Sequence, residues 1–267
     1  LKEPIGVPTV VSFWPHPREV LFGESRLRLD LPNEKTFLLE PLGIEQLVLV
    51  PFDKNLASKS AETFVEEILV KTLHAKHIAV GENFRFGRNR EGDTSTLKKI
   101  GTSLGIKISI VSIVEDNHGR LSSSRVRKAL NEGDLKHAKY LLKRPYTFRG
   151  TVEKGRGLGK KIGWPTANLK IDGRKFLPSL GVYAAWASIA NKKERFLAVM
   201  NMGPQPTIDP NSLSAVEVHI LDKEINLLGH ELIVEPVQRI RLQKKFENIE
   251  ALSKQISLDA ILAKEIL

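Results

Sequence analysis

Residues 155–169 read GRGLGKKIGWPTANL, and the rest of the chain can be interpreted around this stretch. Three glycines and three basic residues occupy six of its first seven positions. Glycines let backbone N–H groups approach an anion closely, and the basic side chains add positive charge. We therefore predict a phosphate-binding loop that includes Gly155, Gly157, Gly159 and Lys160. The alternative is a glycine-rich hairpin with a solvated basic face, because short glycine patterns often match by chance.

Two polar residues follow this loop at a spacing that is informative. Thr166 and Asn168 lie two positions apart, directly after Pro165. On an extended strand, positions two apart point to the same face. A hydroxyl and an amide oxygen side by side are hard oxygen ligands suited to Mg²⁺. The sequence therefore predicts a magnesium site directly behind the phosphate-binding loop.

The complete string resembles the signature of riboflavin kinases, the family that phosphorylates riboflavin to FMN with ATP. The resemblance implies that Thr166 and Asn168 hold the metal on the nucleotide phosphates. It continues through most of the second half of the chain. The further matches are GVY at 181–183, NMG at 201–203 followed by PT at 206–207, VEVHILD at 216–222, and Arg241 with KF at 245–246.

Glu217 is the predicted catalytic residue. Alternation along residues 215–220 places Glu217 and His219 on one face of a strand and the apolar residues on the other. Beside the metal site, the carboxylate would act as general base toward the ribityl 5′-hydroxyl of riboflavin as that oxygen attacks the γ-phosphate. The alternative is an edge-strand carboxylate that faces water. Arg241 is predicted to stack on or hydrogen-bond the flavin, with an ordinary surface arginine as the alternative, and His219 is expected to be structural.

The first half alternates between apolar strand-like runs and helical patterns, which is typical of a parallel, doubly wound α/β sheet. Ligands in such sheets bind in the loops after the carboxyl ends of strands. Three polar sites, His16, Asn83 and residues 122–124, fall in or near loops of this kind. Taken singly, each has an ordinary explanation as a turn residue or helix cap. The predicted strands are 8–13, 46–50, 77–80 and 107–114, and the predicted helices are 60–74, 94–104, 121–133 and 134–142.

Three strings in this order resemble the adenylyltransferase half of bacterial bifunctional riboflavin kinase/FMN adenylyltransferases (FAD synthetases). The strings are FWPHP at 13–17, GENFRFG at 81–87 and LSSSRVR at 121–127. The resemblance implies adenylylation of FMN to FAD, in which an FMN phosphate attacks the α-phosphorus of ATP. This chemistry needs positioning and charge neutralisation rather than a protein nucleophile.

The same resemblance implies a role for each polar residue. Ser123, Ser124 and Arg127 would hold phosphates at a helix start through hydroxyls, N–H groups and the guanidinium. His16 would donate to a phosphate or to the leaving group. Asn83 would hydrogen-bond the nucleotide or the flavin.

The sequence departs from the family pattern in the first half. Nucleotidyltransferases of this superfamily carry an HxGH motif after the first strand, and no HxGH occurs here; Trp14 also replaces the usual Asp before PHP. The chain begins with Leu1, and its methionines are Met200 and Met202. We therefore expect an N-terminally incomplete chain that lacks the first strand and the HxGH segment. The alternative function is a riboflavin kinase whose first domain is catalytically inactive.

From residue 146 the pattern changes to short strands broken by Gly, Pro and Asn. Such strands without intervening helices predict a small antiparallel β-barrel. A final helix is expected after an N-cap at Asn248. We predict two domains, an α/β nucleotidyltransferase-like domain over 1–143 and a riboflavin kinase-like barrel with a C-terminal helix over 144–267. The predicted barrel strands are 146–152, 182–190, 196–201, 215–221 and 230–240.

Composition limits the remaining classes. The chain has 267 residues and no cysteine, which excludes disulfides and thiolate metal sites. Its apolar runs are too short for a membrane span and its start is not a signal peptide, so we expect no membrane partner and a cytoplasmic location. The net charge of +10 is spread evenly, with +5 in each of 1–145 and 146–267. A basic nucleic-acid-binding protein is the alternative of another class. The even spread favours a nucleotide-using enzyme with no nucleic-acid partner, and the resemblance implies ATP, riboflavin and FMN as its substrates, with Mg²⁺.

Overall fold

The computed structural model describes residues 6–24, 27–155, 159, 162–203 and 215–267. Contacts divide the chain into two compact units. Unit 1 comprises residues 1–26 and 35–121, and unit 2 comprises residues 27–34 and 122–267. The contact division therefore groups a short early segment with the second half of the chain. The domain boundary expected at 143/144 stays a prediction.

Unit 1 is built on parallel strands, which confirms the predicted α/β class. The pairs are β1 (Thr9–Trp14) with β2 (Gln46–Pro51), and β3 (His77–Gly81) with β4 (Lys107–Val111). The strand predicted at 107–114 ends at Val111, so the prediction was too long. The chain instead turns into a short antiparallel hairpin of β5 (Glu115–Asp116) and β6 (Gly119–Arg120).

Several helices before residue 121 begin at side chains that accept hydrogen bonds from the first turn, as the sequence led us to expect for Ser60. Ser60 Oγ accepts from Thr63 N at 3.1 Å, and Asp93 Oδ1 accepts from Thr96 N at 2.8 Å. The helix predicted at 60–74 is present, although most of it is π-helical. The helices are α1 (Pro17–Phe22), α2 (Pro32–Leu39), α3 (Lys54–Ser58), α4 (Ala61–Thr63, continuing as the π-helical Phe64–Thr72) and α5 (Thr94–Ser103).

Unit 2 contains the predicted barrel. Six antiparallel strands close in the order β10-β11-β8-β7-β12-β9. Residues 166–168 were predicted to be extended but were not predicted as a barrel strand. In the structure this segment runs into β8. The strands are β7 (Phe148–Glu153), β8 (Ala167–Lys170), β9 (Gly181–Ile189), β10 (Arg195–Gly203), β11 (Ala215–Ile220) and β12 (Glu231–Arg241).

In the described part of unit 2, three helices accompany the barrel. They are α6 (Ser123–Glu132), α7 (Leu135–Leu142) and α8 (Ile249–Ile266). The predicted cap of α8 is confirmed, because Asn248 Oδ1 accepts from Ala251 N at 2.8 Å. Helix α8 packs Ala260 and Ala263 against the outer side of the barrel at Val182. Within the described ranges, no helix has both the length and the apolarity needed to cross a membrane.

A buried polar cluster ties segment 27–34 to the barrel within unit 2. The Lys175 side chain has 0% exposure, and its Nζ donates to Glu34 Oε2 at 2.7 Å. Arg144 Nη2 donates to both carboxylate oxygens of Asp30 at 2.8 Å. Burial lowers the pKa of Lys175, although Glu34 opposes this effect, and burial raises the pKa of Tyr146 well above its ordinary value. These five residues, Asp30, Glu34, Arg144, Tyr146 and Lys175, form what we call the anchor cluster.

Candidate active site

Three polar side chains form a row across adjacent strands on the outer face of the barrel. Asn168 of β8 lies directly opposite Glu217 of β11, and Glu217 lies directly opposite Asn201 of β10. Directly opposite residues of antiparallel strands share a face and lie close enough to interact. Asn201 Nδ2 donates to Glu217 Oε2 at 3.4 Å. We call Asn168, Glu217 and Asn201 the polar row.

Burial shows which way the polar row faces. The residues on either side of Glu217, Val216 and Val218, are 6% and 1% exposed, and Ile220 is also buried. Glu217 and His219 are half-buried on the other face. The predicted alternation along β11 is therefore confirmed, and the polar row faces away from the barrel interior.

Two of the predicted phosphate-loop glycines lie against the predicted metal ligands. A methyl group on Gly155 would fall 2.0 Å from Asn168 Nδ2, and one on Gly159 would fall 2.3 Å from the Trp164 carbonyl oxygen and 3.2 Å from Thr166 Oγ1. Only a residue without a side chain permits so close an approach. The side chains of Thr166 and Asn168 therefore both face the glycine segment.

The donor set is compatible with a hard cation such as Mg²⁺. Thr166 contributes a hydroxyl oxygen, Asn168 an amide oxygen, and Glu217 places a carboxylate one strand away. In the part of the chain that the structure describes, no cluster of three or more His, Cys, Asp or Glu side chains is arranged to hold a metal. Gly157 and Lys160 of the predicted phosphate loop lie outside the described residues.

His219 fixes the segment that leads into β8. Its Nδ1 lies 2.6 Å from the Pro165 carbonyl oxygen, and its ring meets Trp164 edge-on with centroids 5.0 Å apart. A backbone carbonyl can only accept, so Nδ1 carries the hydrogen. This geometry agrees with the structural role expected for His219.

Arg241 makes a bidentate ion pair that the sequence did not reveal. Its Nε and Nη2 donate to the Asp259 carboxylate at 2.8–3.0 Å, and Asp259 on α8 is 2% exposed. The guanidinium carbon also lies 5.5 Å from the centroid of the Phe246 ring. The pair fixes the end of β12 against α8. The flavin contact predicted for Arg241 stays a prediction.

The adenylyltransferase candidates of unit 1 lie where their strands end. His16 follows β1 and caps α1, with Nδ1 accepting from Arg18 N at 3.1 Å. Since Nδ1 accepts, the neutral ring carries its hydrogen on Nε2, which is the donor that the predicted role requires. Asn83 is exposed in the turn after β3, closed by the Phe84 N to Gly81 O bond of 2.9 Å.

The other adenylyltransferase candidates lie in unit 2. Ser122 is the N-cap of α6 and accepts from Arg125 N, whereas Ser123 and Ser124 are exposed in the first turn. Arg127 Nη2 donates to the Leu27 carbonyl oxygen at 3.2 Å. The first turn of α6 is therefore accessible, while at least part of the Arg127 guanidinium is engaged within unit 2.

Two amides of this region had no predicted role. Asn201 entered only as part of the NMG string at 201–203, and no pattern marked Gln243. The signal for Asn201 was weak, because it is a single amide in the otherwise apolar run 196–202, with Leu197 and Val199 in the same phase of the strand. Gln243 lies in an irregular segment after β12, where no periodicity could indicate its direction.

A carboxylate beside oxygen ligands and a glycine segment, on a barrel preceded by a parallel α/β unit, defines a nucleotide-dependent transferase. Comparison with known families makes this specific: residues 142–267 match riboflavin kinase and residues 3–125 match FAD synthetase. The bifunctional riboflavin kinase/FMN adenylyltransferase of Haemophilus influenzae is 35% identical over 96% of this chain and 82% of its own length. The Escherichia coli enzyme of the same name is 36% identical over 96% of this chain and 81% of its own.

The chain therefore belongs to the bifunctional riboflavin kinase/FMN adenylyltransferase family, and its function is that of this family. Membership implies ATP and flavin as substrates and favours the enzymatic interpretation over nucleic-acid binding. A solved structure described as a macrolide-efflux protein from Streptococcus pneumoniae matches with a TM-score of 0.83 and 30% identity, over 96% of this chain and 83% of that one.

Proposed function

We propose that this chain transfers the γ-phosphoryl group of ATP to riboflavin at the polar row of the barrel. The observation that carries the proposal is the contact between the glycine segment and Asn168, which lies directly opposite Glu217. This contact brings a phosphate-binding type of backbone, a pair of oxygen ligands and a carboxylate to one place. Phosphoryl transfer depends mainly on such positioning and on charge neutralisation.

Glu217 serves as the general base in this proposal. Its carboxylate accepts the proton of the ribityl 5′-hydroxyl while the new O–P bond forms and the bond to the ADP leaving group breaks. The donation from Asn201 Nδ2 supports this role, because a hydrogen bond to the charged form favours the carboxylate.

Thr166 and Asn168 hold the magnesium ion in this proposal, and the glycine segment with Lys160 holds the ATP phosphates. When bound, the ion neutralises charge on the phosphate oxygens. Asn168 is kept in place by Gly155, whose missing side chain leaves room for the amide. Gly159 does the same for the Trp164 carbonyl and Thr166, so both glycines shape the ligand pair.

The first half of the chain carries the second reaction, adenylylation of FMN to FAD. His16 Nε2–H and Asn83 follow strand ends in unit 1, and Ser123 and Ser124 are exposed at the start of α6. A helix start favours phosphate through its free N–H groups. Arg127 supports the same helix through its bond to Leu27. Both reactions consume ATP, so we infer a cytoplasmic location. We also propose that the functional division between the two reactions falls at 143/144.

A product assay tests the two activities. The polypeptide is incubated with riboflavin and MgATP, and then separately with FMN and MgATP, and the flavins are separated by chromatography. FMN from the first incubation and FAD from the second are expected. FMN without FAD would leave a kinase beside an inactive first domain. If neither FMN nor FAD forms, the proposal as a whole is contradicted.

The metal assignment has a test that does not depend on turnover. Asn168→Ala should weaken ADP binding about tenfold in the presence of Mg²⁺ and leave metal-free binding unchanged, because one inner ligand is lost. Titration calorimetry with and without Mg²⁺ measures both affinities. Asn226→Ala, an exposed asparagine of unit 2, is the matched control. An unchanged Mg²⁺ effect in Asn168→Ala would reject the assignment.

A further inference from the structure

The segment after β12 approaches the polar row through one side chain. Gln243 Nε2 donates to Asn201 Oδ1 at 2.6 Å and to the Met202 carbonyl oxygen at 3.0 Å. Asn201 in turn donates through Nδ2 to Glu217 Oε2 at 3.4 Å. These contacts form a continuous chain from a backbone carbonyl, through two amides, to the carboxylate.

The donor-to-acceptor direction of this series of hydrogen bonds is fixed at its backbone end. The Met202 carbonyl can only accept, so Gln243 must present its NH₂ group there. The same NH₂ group then needs an acceptor on Asn201, which turns Oδ1 toward Gln243. Asn201 is therefore left with Nδ2 toward Glu217, where it can only donate. Reversing both amides would place Gln243 Oε1 against the Met202 carbonyl oxygen and Asn201 Oδ1 against the Glu217 carboxylate, which are two contacts between acceptors.

This arrangement explains why the last residue of the NMG string, Gly203, is a glycine. A methyl group on Gly203 would fall 3.0 Å from Gln243 Nε2 and 3.2 Å from Gln243 Cγ. Gly203 also has φ of 144°, a backbone conformation that residues with a side chain rarely adopt. Asn201 supplies the amide and Gly203 leaves space for Gln243, so the string encodes both sides of one contact.

The backbone that carries Gln243 is itself held. Arg241, two residues earlier, makes the bidentate pair with the buried Asp259 of α8. The C-terminal helix thereby fixes where the segment after β12 leaves the barrel. Gln243 can then reach Asn201 without a further cost of ordering the backbone that carries it.

We propose that Asn201 and Gln243 are positioning residues that orient the Glu217 carboxylate for proton acceptance. The proposal rests on the proposed function, because it concerns the same base. Asn201 acts on Glu217 directly, and Gln243 acts by preventing the Asn201 amide from turning over. A carboxylate held by a donor keeps the orientation and charge that a general base requires.

The test compares substitutions in two backgrounds, the original chain and Glu217→Gln. In the original chain, Gln243→Glu should lower kcat about tenfold, with KM for riboflavin and ATP within about twofold, because it reverses the polarity of the Asn201 amide. Gln243→Ala should cost only about threefold, since Asn201 stays free to donate. Asn201→Ala should lower kcat about tenfold. In the Glu217→Gln background, all three should have no further effect.

Gln238→Glu, the same change on β12, is the matched control and should leave kcat unchanged. Thermal melting checks that each variant is folded, and Asn201→Asp repeats the test if Gln243→Glu does not fold. Equal losses in both backgrounds, or a larger loss for Gln243→Ala than for Gln243→Glu, would show a packing role and overturn the inference. If Glu217→Gln abolishes turnover while Asn201→Ala and Gln243→Glu do not affect it, only this inference fails. If Glu217→Gln keeps its turnover, the base assignment of the proposed function fails as well.

Discussion

The anchor cluster and the polar row are two concentrations of polar groups within unit 2, and they are built differently. Lys175 has no exposed side-chain surface, and its Nζ donates to a carboxylate and to the carbonyls of Leu29 and Thr147. Glu217 is half-buried on the outer face, between the amides of Asn168 and Asn201. A fully enclosed charge whose three donors are all used offers no atom to a substrate. A partly exposed carboxylate flanked by amides can still meet one.

The difference separates stability from chemistry within one unit. Removing one partner of a buried ion pair leaves an uncompensated charge and destabilises the fold strongly. Removing a half-buried carboxylate leaves no uncompensated buried charge behind, so we expect the stability of the fold to change little. Substitutions at the two places should therefore have opposite signatures, and measuring both in the same assays tests the distinction.

The largest effect is expected from Glu217→Gln. The substitution preserves size and removes the proton acceptor, so kcat for FMN formation should fall by about 10²- to 10⁴-fold. The free energy of unfolding should change by less than about 1 kcal/mol. Steady-state kinetics and urea denaturation measure the two quantities.

Glu235→Gln is the control for this change, because Glu235 pairs with Arg195 away from the row. It should leave kcat unaltered. The contrast between the two regions would disappear if Glu217→Gln kept a kcat within a few-fold of the original. It would also disappear if this substitution caused a large loss of stability.

Lys175→Met should produce the opposite signature. It leaves Glu34 buried without its partner, and Glu34 Oε1 already has no hydrogen-bond partner within the described residues. The expected loss of stability is about 3–5 kcal/mol, with kcat per folded molecule unchanged. Urea denaturation measures the first quantity and active-site titration corrects the second for the folded fraction.

A matched control and a double variant sharpen this prediction. Lys170→Met removes an ion pair with Glu153 whose lysine is 70% exposed, and it should change the free energy of unfolding far less than Lys175→Met does. Glu34→Leu combined with Lys175→Met should recover part of the stability, because it removes both buried charges. No recovery would mean that the hydrogen bonds to Leu29 and Thr147, rather than the charges, carry the effect.

The polar row was largely predictable, because its information is local. Alternation along β11 gave the face of Glu217, and spacing gave the shared direction of Thr166 and Asn168. Asn248 was recognised as a cap because a cap acts within one helical turn. Each of these inferences needed only a few consecutive residues.

The anchor cluster was not predictable from the sequence, because its partners are far apart along the chain. Lys175 and Glu34 are 141 positions apart, and no local pattern marks either as buried. The pair of Arg241 with Asp259 was hidden in the same way. Long-range pairing depends on the closed barrel, which sets neighbours that periodicity alone cannot specify.

The smallest effect is expected just before Lys175 in the chain, where an exposed ion pair offers a third point of comparison. Hydrogen bonds from the Arg174 side chain and backbone lower the pKa of Asp172 to about 2 from 3.8. Between these values the folded carboxylate stays ionised while the unfolded one binds a proton, so the stabilisation is present above about pH 4 and is lost as the pH falls toward 2. The Asp172 side chain is 35% exposed, and solvent screening limits the effect of Asp172→Asn to less than about 1 kcal/mol at neutral pH. The difference between the urea midpoints of the original chain and Asp172→Asn should therefore be constant above about pH 5 and shrink as the pH falls from about 5 to about 2. A difference that stays constant over this range would show that Asp172 acts through the shape of its turn rather than through its charge.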